Sequence, residues 1–296
     1  WSSDVCSSDL SKIMMPILIV LSVIIAVYSV TRPGALEGVK YFLVPNVKNF
    51  SWMTVVAAMG QMFYSLSIAM GILITFGSYM KKDTAIEDST RNVEIFDTGI
   101  AIMAGLMIIP AVFAFSGGDP DTLQAGPSLM FITIPKVFQN MGFGTVIGIV
   151  FFVLVLFAAV TSSIALTESA VSTFEDELGW GRKKATVLVG VIMLALGSLS
   201  SLGYGPLAGI KIIGMQFLDL FDFLTNSVMM PIAALLTSLL VSRVVGIDKI
   251  EEEIIHGESA FRRKKVFVVM IKYLCPVFAI IILLSSVANA LGWIKM

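Results

Sequence analysis

Long apolar runs separated by short polar segments dominate the chain. A helix needs about 20 apolar residues to cross a bilayer, and seven runs approach or exceed that length. The pattern therefore predicts an all-α polytopic membrane protein with about seven transmembrane helices. The runs lie at approximately residues 13–30, 52–80, 98–115, 144–174, 185–202, 223–245 and 266–291.

The second run differs from the others because its middle is polar. The segment Ser65-Leu-Ser-Ile-Ala-Met-Gly71 carries two hydroxyls and a glycine where a lipid-facing helix would carry leucines. Such a sequence can interrupt its helix, and the freed backbone groups are tolerated only where they line a cavity or bind something. A discontinuous helix of this kind is the expected binding element of a secondary transporter. A continuous span whose serines bond back to the preceding turn explains the segment equally well.

Two segments between the runs predict short elements. Residues 127–139 are apolar but too short to span, which favours a surface helix or a lid, and a similar element is expected between residues 206 and 217. Residues 32–50 and 116–121 are turn-rich and predict connections.

Composition supports the membrane interpretation and excludes other classes. The chain is 57% hydrophobic and 14% charged, with a mean hydropathy of +0.91. A net charge of −1 argues against a nucleic-acid partner. Cys6 and Cys275 lie far apart and His256 is the single histidine, so no zinc cluster, disulfide framework or Cys–His nucleophile is predicted. We therefore expect no enzyme activity and no cofactor.

The first ten residues resemble neither a signal peptide nor a span. They lack an initiator methionine, a basic segment and an apolar core. Residues 1–10 are interpreted as a cloning or assembly scar, and residues 11–296 as a single transmembrane domain truncated at its N-terminus.

Basic residues predict the orientation, because cytoplasmic loops are enriched in lysine and arginine. With Lys12 on the cytoplasmic side, that side collects 13 basic residues against 6 on the other. The runs Arg182–Lys184 and Arg262–Lys265 are interpreted as topology anchors.

The fourth run carries a candidate cation site. Ala158, Thr161 and Ser162 are spaced i, i+3, i+4 and so share one helical face. One backbone carbonyl and two hydroxyls are hard, neutral ligands suited to an alkali cation. Small and hydroxylated residues are also common where membrane helices pack, so a purely structural role stays open.

Four acidic residues lie within or at the ends of the predicted spans. Glu168 lies within the fourth run and is expected to face the bundle interior, paired or protonated. Asp176 is expected near the cytoplasmic end of that run, and Asp222 at the outer end of the sixth. Asp97 opens the third run, either as a helix cap or as a group that reaches the polar break.

These motifs carry a family resemblance. The segments 60–71, 77–83, 161–165 and 174–178 resemble the sixth and eighth spans of the neurotransmitter:sodium symporter family, bacterial amino-acid branch, and 219–225 resembles the tenth. The resemblance implies a partial leucine-transporter fold of inverted repeats. The chain would be a C-terminal fragment holding spans five to eleven, with the first four missing.

The resemblance also implies residue roles. Sodium ligands would be Ser65, Asp97, Ala158 (through its carbonyl), Thr161 and Ser162. The substrate pocket would be lined by Tyr64, Ser65, Ser67, Met70, Ser162, Ser163 and Leu166. Asp222 would be the outer gate acid and Asp176 the inner one, with Tyr79 beside it.

Two positions depart from the family pattern. Asp97 stands where many members have asparagine, which changes the charge of the sodium site and suggests transport without chloride. Ala69 replaces a frequent glycine in the break and makes the backbone less permissive.

The function implied is sodium-coupled amino-acid symport by alternating access in a bacterial inner membrane. The partners are the amino acid, sodium, the lipid bilayer and the missing N-terminal spans, without which the chain is expected to be inactive. A membrane channel or scaffold, with hydroxyls that only pack helices, is the alternative.

Overall fold

The computed structural model describes residues 3–47, 50–116, 129–139, 142–258 and 260–290. Those residues form helices joined by turns, with one isolated antiparallel bridge between Ile212 and Met215 and no strand. Within these described ranges, six helical segments are long and apolar enough to cross a membrane. They are Lys12–Val30, Ile86–Phe115, Gly144–Leu178, Arg182–Leu202, Phe217–Val245 and Lys264–Ala290.

The helices, in chain order, are α1 (Ser3–Val30), α2 (Ala35–Leu43), α3 (Trp52–Ser65), α4 (Ile72–Ser78), α5 (Ile86–Ser116), α6 (Ile134–Gln139), α7 (Gly144–Leu178), α8 (Arg182–Leu202), α9 (Phe217–Asp222), α10 (Met230–Leu239), α11 (Ile247–Gly257), α12 (Lys264–Val269) and α13 (Cys275–Ala290). In the part of the chain that the structure describes, four π-helical segments adjoin them, at Leu129–Thr133, Phe223–Met229, Leu240–Val245 and Met270–Leu274.

The second predicted span is the broken one. It consists of α3 and α4 with a non-helical segment between them, so the prediction of one interrupted helix is confirmed. A capping box fixes the start of α3: Ser51 Oγ accepts from the Thr54 N–H, and Thr54 Oγ1 accepts from the Ser51 N–H.

Proline explains three of the π-helical segments. Pro135, Pro231 and Pro276 each follow such a segment within a few residues. Proline has no N–H to donate to the preceding turn, so the helix upstream widens. Upstream of Pro276, the carbonyl of Ile271 accepts a hydrogen bond from outside its own helix. The donor is the buried Ser238 hydroxyl, at 2.5 Å.

Three expectations about the connections were wrong. The 32–50 connection contains α2, where Gly38 lets the helix approach α5 so closely that a Cβ there would lie 2.8 Å from Pro110 Cα. Between residues 206 and 217 the chain makes turns instead of a helix. The third span begins at Ile86, twelve residues before the predicted Thr98.

Two other expectations concern segments next to residues outside the described ranges. Of the predicted short element at 127–139, the described part is helical from Leu129 to Gln139, whereas residues 117–128 lie outside the described residues. Helix α1 begins at Ser3 and so includes most of the segment interpreted as a scar.

The chain divides into two compact units. The first comprises residues 1–50 and 95–164. Its core is built around the fully buried Phe151, Ile134 and Val112, and the buried Ser29 hydroxyl of α1 donates to Met107 O of α5 at 2.7 Å.

The second unit comprises residues 51–94 and 165–296. Its main core joins α3, α10 and α13 through Val56, Phe63, Met230, Ala234, Ala279 and Ile282. The turn between α7 and α8 is held by Trp180, whose ring stacks on Phe174 with 5.6 Å between centroids.

Candidate functional site

In the break between α3 and α4, every second residue from Ser67 to Gly71 has a left-handed backbone conformation. Ser67, Ala69 and Gly71 have φ angles of 53°, 63° and 80°. The last turn of α3 closes by a bond from the Ile68 N–H to Phe63 O at 3.0 Å, and α4 resumes with the Thr75 N–H bonded to Gly71 O at 2.9 Å. The residues between leave the helical ladder, as the Ser-Leu-Ser-Ile-Ala-Met-Gly sequence predicted.

The two small residues of the break are not equivalent. Gly71 adopts its positive φ without strain, and a Cβ there would lie 2.8 Å from Ser169 Oγ of α7. Ala69 holds a left-handed conformation that is costly for a residue with a Cβ. The substitution noted in the sequence thus falls at a strained position.

Hydroxyls continue from the break along α4 and α7. Thr75 Oγ1 lies 3.4 Å from Ser169 Oγ and 3.3 Å from Ser172 Oγ, and both Thr75 and Ser169 are buried. Buried hydroxyls need hydrogen-bond partners, and these three satisfy one another. We call Thr75, Ser169 and Ser172 the hydroxyl seam.

An ionic network lies at the end of the seam. Tyr79 donates to Glu168 Oε1 at 2.9 Å, and Arg182 Nη2 contacts Glu168 Oε2 at 2.5 Å. Arg182 Nη1 also reaches Glu175 at 3.1 Å. The Glu168 side chain is 15% exposed, and a carboxylate so little exposed needs a partner for its charge. The guanidinium of Arg182 and the phenol of Tyr79 are those partners, which fits the expectation of a paired acid.

Tyr79, predicted to lie beside Asp176, is hydrogen-bonded to Glu168 instead. The bond of Tyr79 goes to Glu168, two helical turns before Asp176, and Asp176 itself is exposed near the end of α7. The sequence pointed to Glu168 and Tyr79 separately and did not join them.

The Thr161 hydroxyl of α7 bonds back to its own helix. Thr161 Oγ1 lies 3.0 Å from Ala158 O and 3.1 Å from Phe157 O, donating within the helix. Ser162 is exposed and Ser163 half-buried. This back-bonding is also what a packing role requires, and the cation-site assignment stays a prediction.

The predicted site residues are divided between the two compact units. Tyr64, Ser65, Ser67, Met70 and Leu166 belong to the second unit, whereas Asp97, Ala158, Thr161, Ser162 and Ser163 belong to the first. The sodium and substrate assignments that combine them stay predictions.

Asp97 is not a helix cap. It lies eleven residues after Ile86, well inside α5 and half-buried. One of its two sequence interpretations is thereby excluded, because a cap must precede the first helical turn.

Asp219 and Asp222 stand at the start of the helical segment Phe217–Val245. Asp222 Oδ1 accepts from Asn226 Nδ2 at 2.5 Å, one turn further on. In the adjoining loop, burial raises the pKa of Tyr204, and the carboxylate of Asp219 raises it further. Two carboxylates thus lie at this end of the span, and the gate role of Asp222 stays a prediction.

Four residues of the network were missed by the sequence reasoning: Thr75, Ser169, Ser172 and Arg182. Ser169 and Ser172 are spaced i, i+3 and share a face of α7, a signal that was present. Arg182 was interpreted only as a topology anchor because its partner Glu168 lies fourteen residues away.

Known proteins share this sequence and architecture. The chain is 33% identical to the uncharacterized sodium-dependent transporter YhdH of Bacillus subtilis over 94% of the chain and 61% of the relative. It is 30% identical to an uncharacterized sodium-dependent transporter of Haemophilus influenzae over 93% of the chain and 59% of the relative. The chain thus spans about three fifths of these relatives' length.

A solved structure and a family profile also match this chain. The crystal structure of MhsT in complex with L-phenylalanine superposes with a TM-score of 0.79 at 34% identity, covering 93% of this chain and 62% of MhsT. This similarity confirms the predicted fold class. The profile of the sodium:neurotransmitter symporter family matches residues 7–293. The chain belongs to the sodium:neurotransmitter symporter family.

Proposed function

We propose that the protein containing this chain is a sodium-coupled amino-acid symporter. The observation that carries the proposal is the interrupted helix at Ser65–Gly71, packed against α7 through Gly71 and Ser169. Backbone groups released from a membrane helix are tolerated where they line a cavity or coordinate a solute. Membership of the family supplies sodium as the coupling ion.

Sodium is proposed to bind at two places. One uses the Ser65 hydroxyl and the Asp97 carboxylate, and the other uses the Ala158 carbonyl with the hydroxyls of Thr161 and Ser162. The Thr161 hydroxyl and the Ala158 carbonyl lie 3.0 Å apart on α7, and a cation at the second site would contact both oxygens in place of the hydrogen bond between them. Oxygen donors of this kind suit a hard cation.

The amino acid is proposed to lie along the break. Ser65, Ser67 and the backbone around them offer polar groups, while Tyr64, Met70 and Leu166 offer apolar surface. Ser162 and Ser163 complete the proposed wall. The similarity to MhsT, whose complex holds L-phenylalanine, favours a substrate with an apolar side chain.

Alternating access is proposed to be controlled by acids at both ends. Asp222 would close the outer side, and Asp176, with Tyr79 and Glu168, the inner side. Sodium and substrate bound together would favour one state of this equilibrium because both bind it better than the other. We place the protein in a bacterial inner membrane, as a multi-pass protein.

Transport is proposed for the longer protein and not for this chain alone. About two fifths of each relative's length lies outside the part that the chain matches, and that remaining part would complete both sodium sites, the substrate pocket and the basic partners of the gates.

The proposal is tested by uptake into proteoliposomes. The protein, including the part that corresponds to its relatives' remaining length, should accumulate a radiolabelled apolar amino acid under an inward sodium gradient. An equal potassium gradient is the control and should give no accumulation. Uptake independent of sodium, or solute flux without saturation, would instead favour the channel alternative.

A further inference from the structure

Helix α5 is capped by a residue that is distant in sequence. The helix begins at Ile86, directly after Ala85, whose methyl group cannot accept a hydrogen bond. Glu258, just after α11, provides the acceptor: its Oε1 accepts from the backbone N–H of Glu87 at 2.6 Å and of Asp88 at 3.2 Å. A carboxylate there satisfies N–H groups that have no partner within the helix and interacts favourably with the helix dipole.

Helix α5 in turn accepts hydrogen bonds from the segment that follows Glu258. Glu87, in the first turn of α5, accepts through Oε2 from the backbone N–H of Arg262 at 2.9 Å. Arg263 Nη1 donates to both oxygens of Glu94, at 3.2 and 2.9 Å. The hydrogen bond with Glu94 raises the pKa of Arg263, and the charge of Glu87 raises it further. About two turns of α5, from Glu87 to Glu94, are therefore tied to the segment that leads into α12.

Glycine allows the close approach of the two segments. A Cβ at Gly257 would lie 2.5 Å from Thr84 O, a distance that real side chains do not tolerate. The end of α11 therefore lies directly against the backbone that precedes α5. All of these residues belong to the same compact unit.

We propose that Glu87, Glu94, Gly257, Glu258 and Arg263 form a clasp that makes the start of α5 and the α11–α12 connection one moving body. Glu258 is its positioning residue and the N-terminal cap of α5. The clasp lies on the side predicted to be cytoplasmic, and its two halves are about 170 residues apart in sequence. The inference is independent of which solute the protein carries, because it concerns how two spans are joined.

Hydrogen exchange of the protein in lipid nanodiscs tests the clasp. Glu258→Ala should accelerate exchange of the Glu87 and Asp88 amides about 5-fold to 10-fold, the usual effect of losing a cap. The Arg262 amide should accelerate with them, because the same opening separates it from Glu87. Glu252→Ala, on the exposed face of α11, is the matched control and should change none of the three.

A local cap provides the decisive rescue. Ala85→Ser places a hydroxyl at the position that normally caps the second and third helical residues, which are Glu87 and Asp88 here. In the Glu258→Ala background it should restore slow exchange at both amides, and it should restore folding if Glu258→Ala alone does not fold. Unchanged exchange in Glu258→Ala, an unaffected Arg262 amide, or failure of Ala85→Ser to restore protection would each overturn the proposal.

Discussion

Tyr79 Oη lies 2.9 Å from Glu168 Oε1, and the two residues are 89 positions apart in the sequence. The bond ties the end of α4, the second half of the broken span, to α7. Because Glu168 also contacts Arg182 at the start of α8, one carboxylate joins three helices. The hydroxyl seam reaches from this network back toward Gly71, so the break and the ionic network are parts of one polar contact between α4 and α7.

The first prediction concerns the charge of Glu168. Arg182→Gln should destabilise the protein by about 1 kcal/mol, because a mostly buried carboxylate loses its cation, a cost reduced by solvent at the half-exposed arginine. Adding Glu168→Gln should recover much of the loss, since an amide needs no counter-charge. Thermal unfolding in detergent measures both.

Lys183→Gln is the matched control for that experiment, because Lys183 is the adjacent cation and is exposed. It should leave the unfolding temperature unchanged. If Arg182→Gln and Lys183→Gln behave alike, the Glu168 pair is a surface contact without energetic weight.

The second prediction concerns backbone strain in the break. Ala69→Gly should stabilise the protein by on the order of 0.5–1 kcal/mol, because relief of a left-handed alanine exceeds the entropy that glycine adds to the unfolded chain. Ala57→Gly, in the middle of α3, should instead destabilise by about 1 kcal/mol. Opposite signs in thermal unfolding are expected, and a loss of stability in both would show that Ala69 is not strained.

The third prediction concerns anions. Asp97 is a fixed carboxylate inside α5, so it would offset the sodium charge without chloride. The full-length protein should transport equally in chloride and gluconate. Asp97→Asn should lower its sodium affinity, measured as a higher half-saturating sodium concentration for amino-acid uptake.

An unchanged Asp97→Asn protein would remove Asp97 from the sodium site. A capping role is no longer available as its explanation, since α5 begins eleven residues earlier.

The sequence was sufficient for features set by local composition. Apolar length located the spans, and the Ser65–Gly71 run indicated the break, because spanning and breaking a helix are both decided within about 20 residues. Glu168 was recognised because a carboxylate inside a span always needs compensation.

Features decided by distant residues were missed or misplaced. The third span was predicted from Thr98 because the apolar run begins there, whereas α5 begins twelve residues earlier in a polar segment, where the distant Glu258 accepts from its first N–H groups. Arg182 looked like one of three anchoring cations until the turn at Trp180 placed it against Glu168. Helix α2 was missed because Arg32-Pro-Gly34 indicates a turn, whereas the helix begins directly after it at Ala35 and packs closely on α5 through Gly38.

The central claim is that hydroxyls of α7 bind the coupling ion together with the substrate. It is tested most directly by amino-acid binding to the full-length protein as sodium is titrated. Thr161→Ala combined with Ser162→Ala should raise the half-saturating sodium concentration about 10-fold or more, because two ligands of a partly desolvated cation are lost. Thr173→Ala is the control, since Thr173 bonds back to Ser169 O at 2.8 Å much as Thr161 bonds to Phe157 O. A control curve that overlays the wild type, with the double variant shifted, is the predicted result, whereas three superimposed curves would contradict the account.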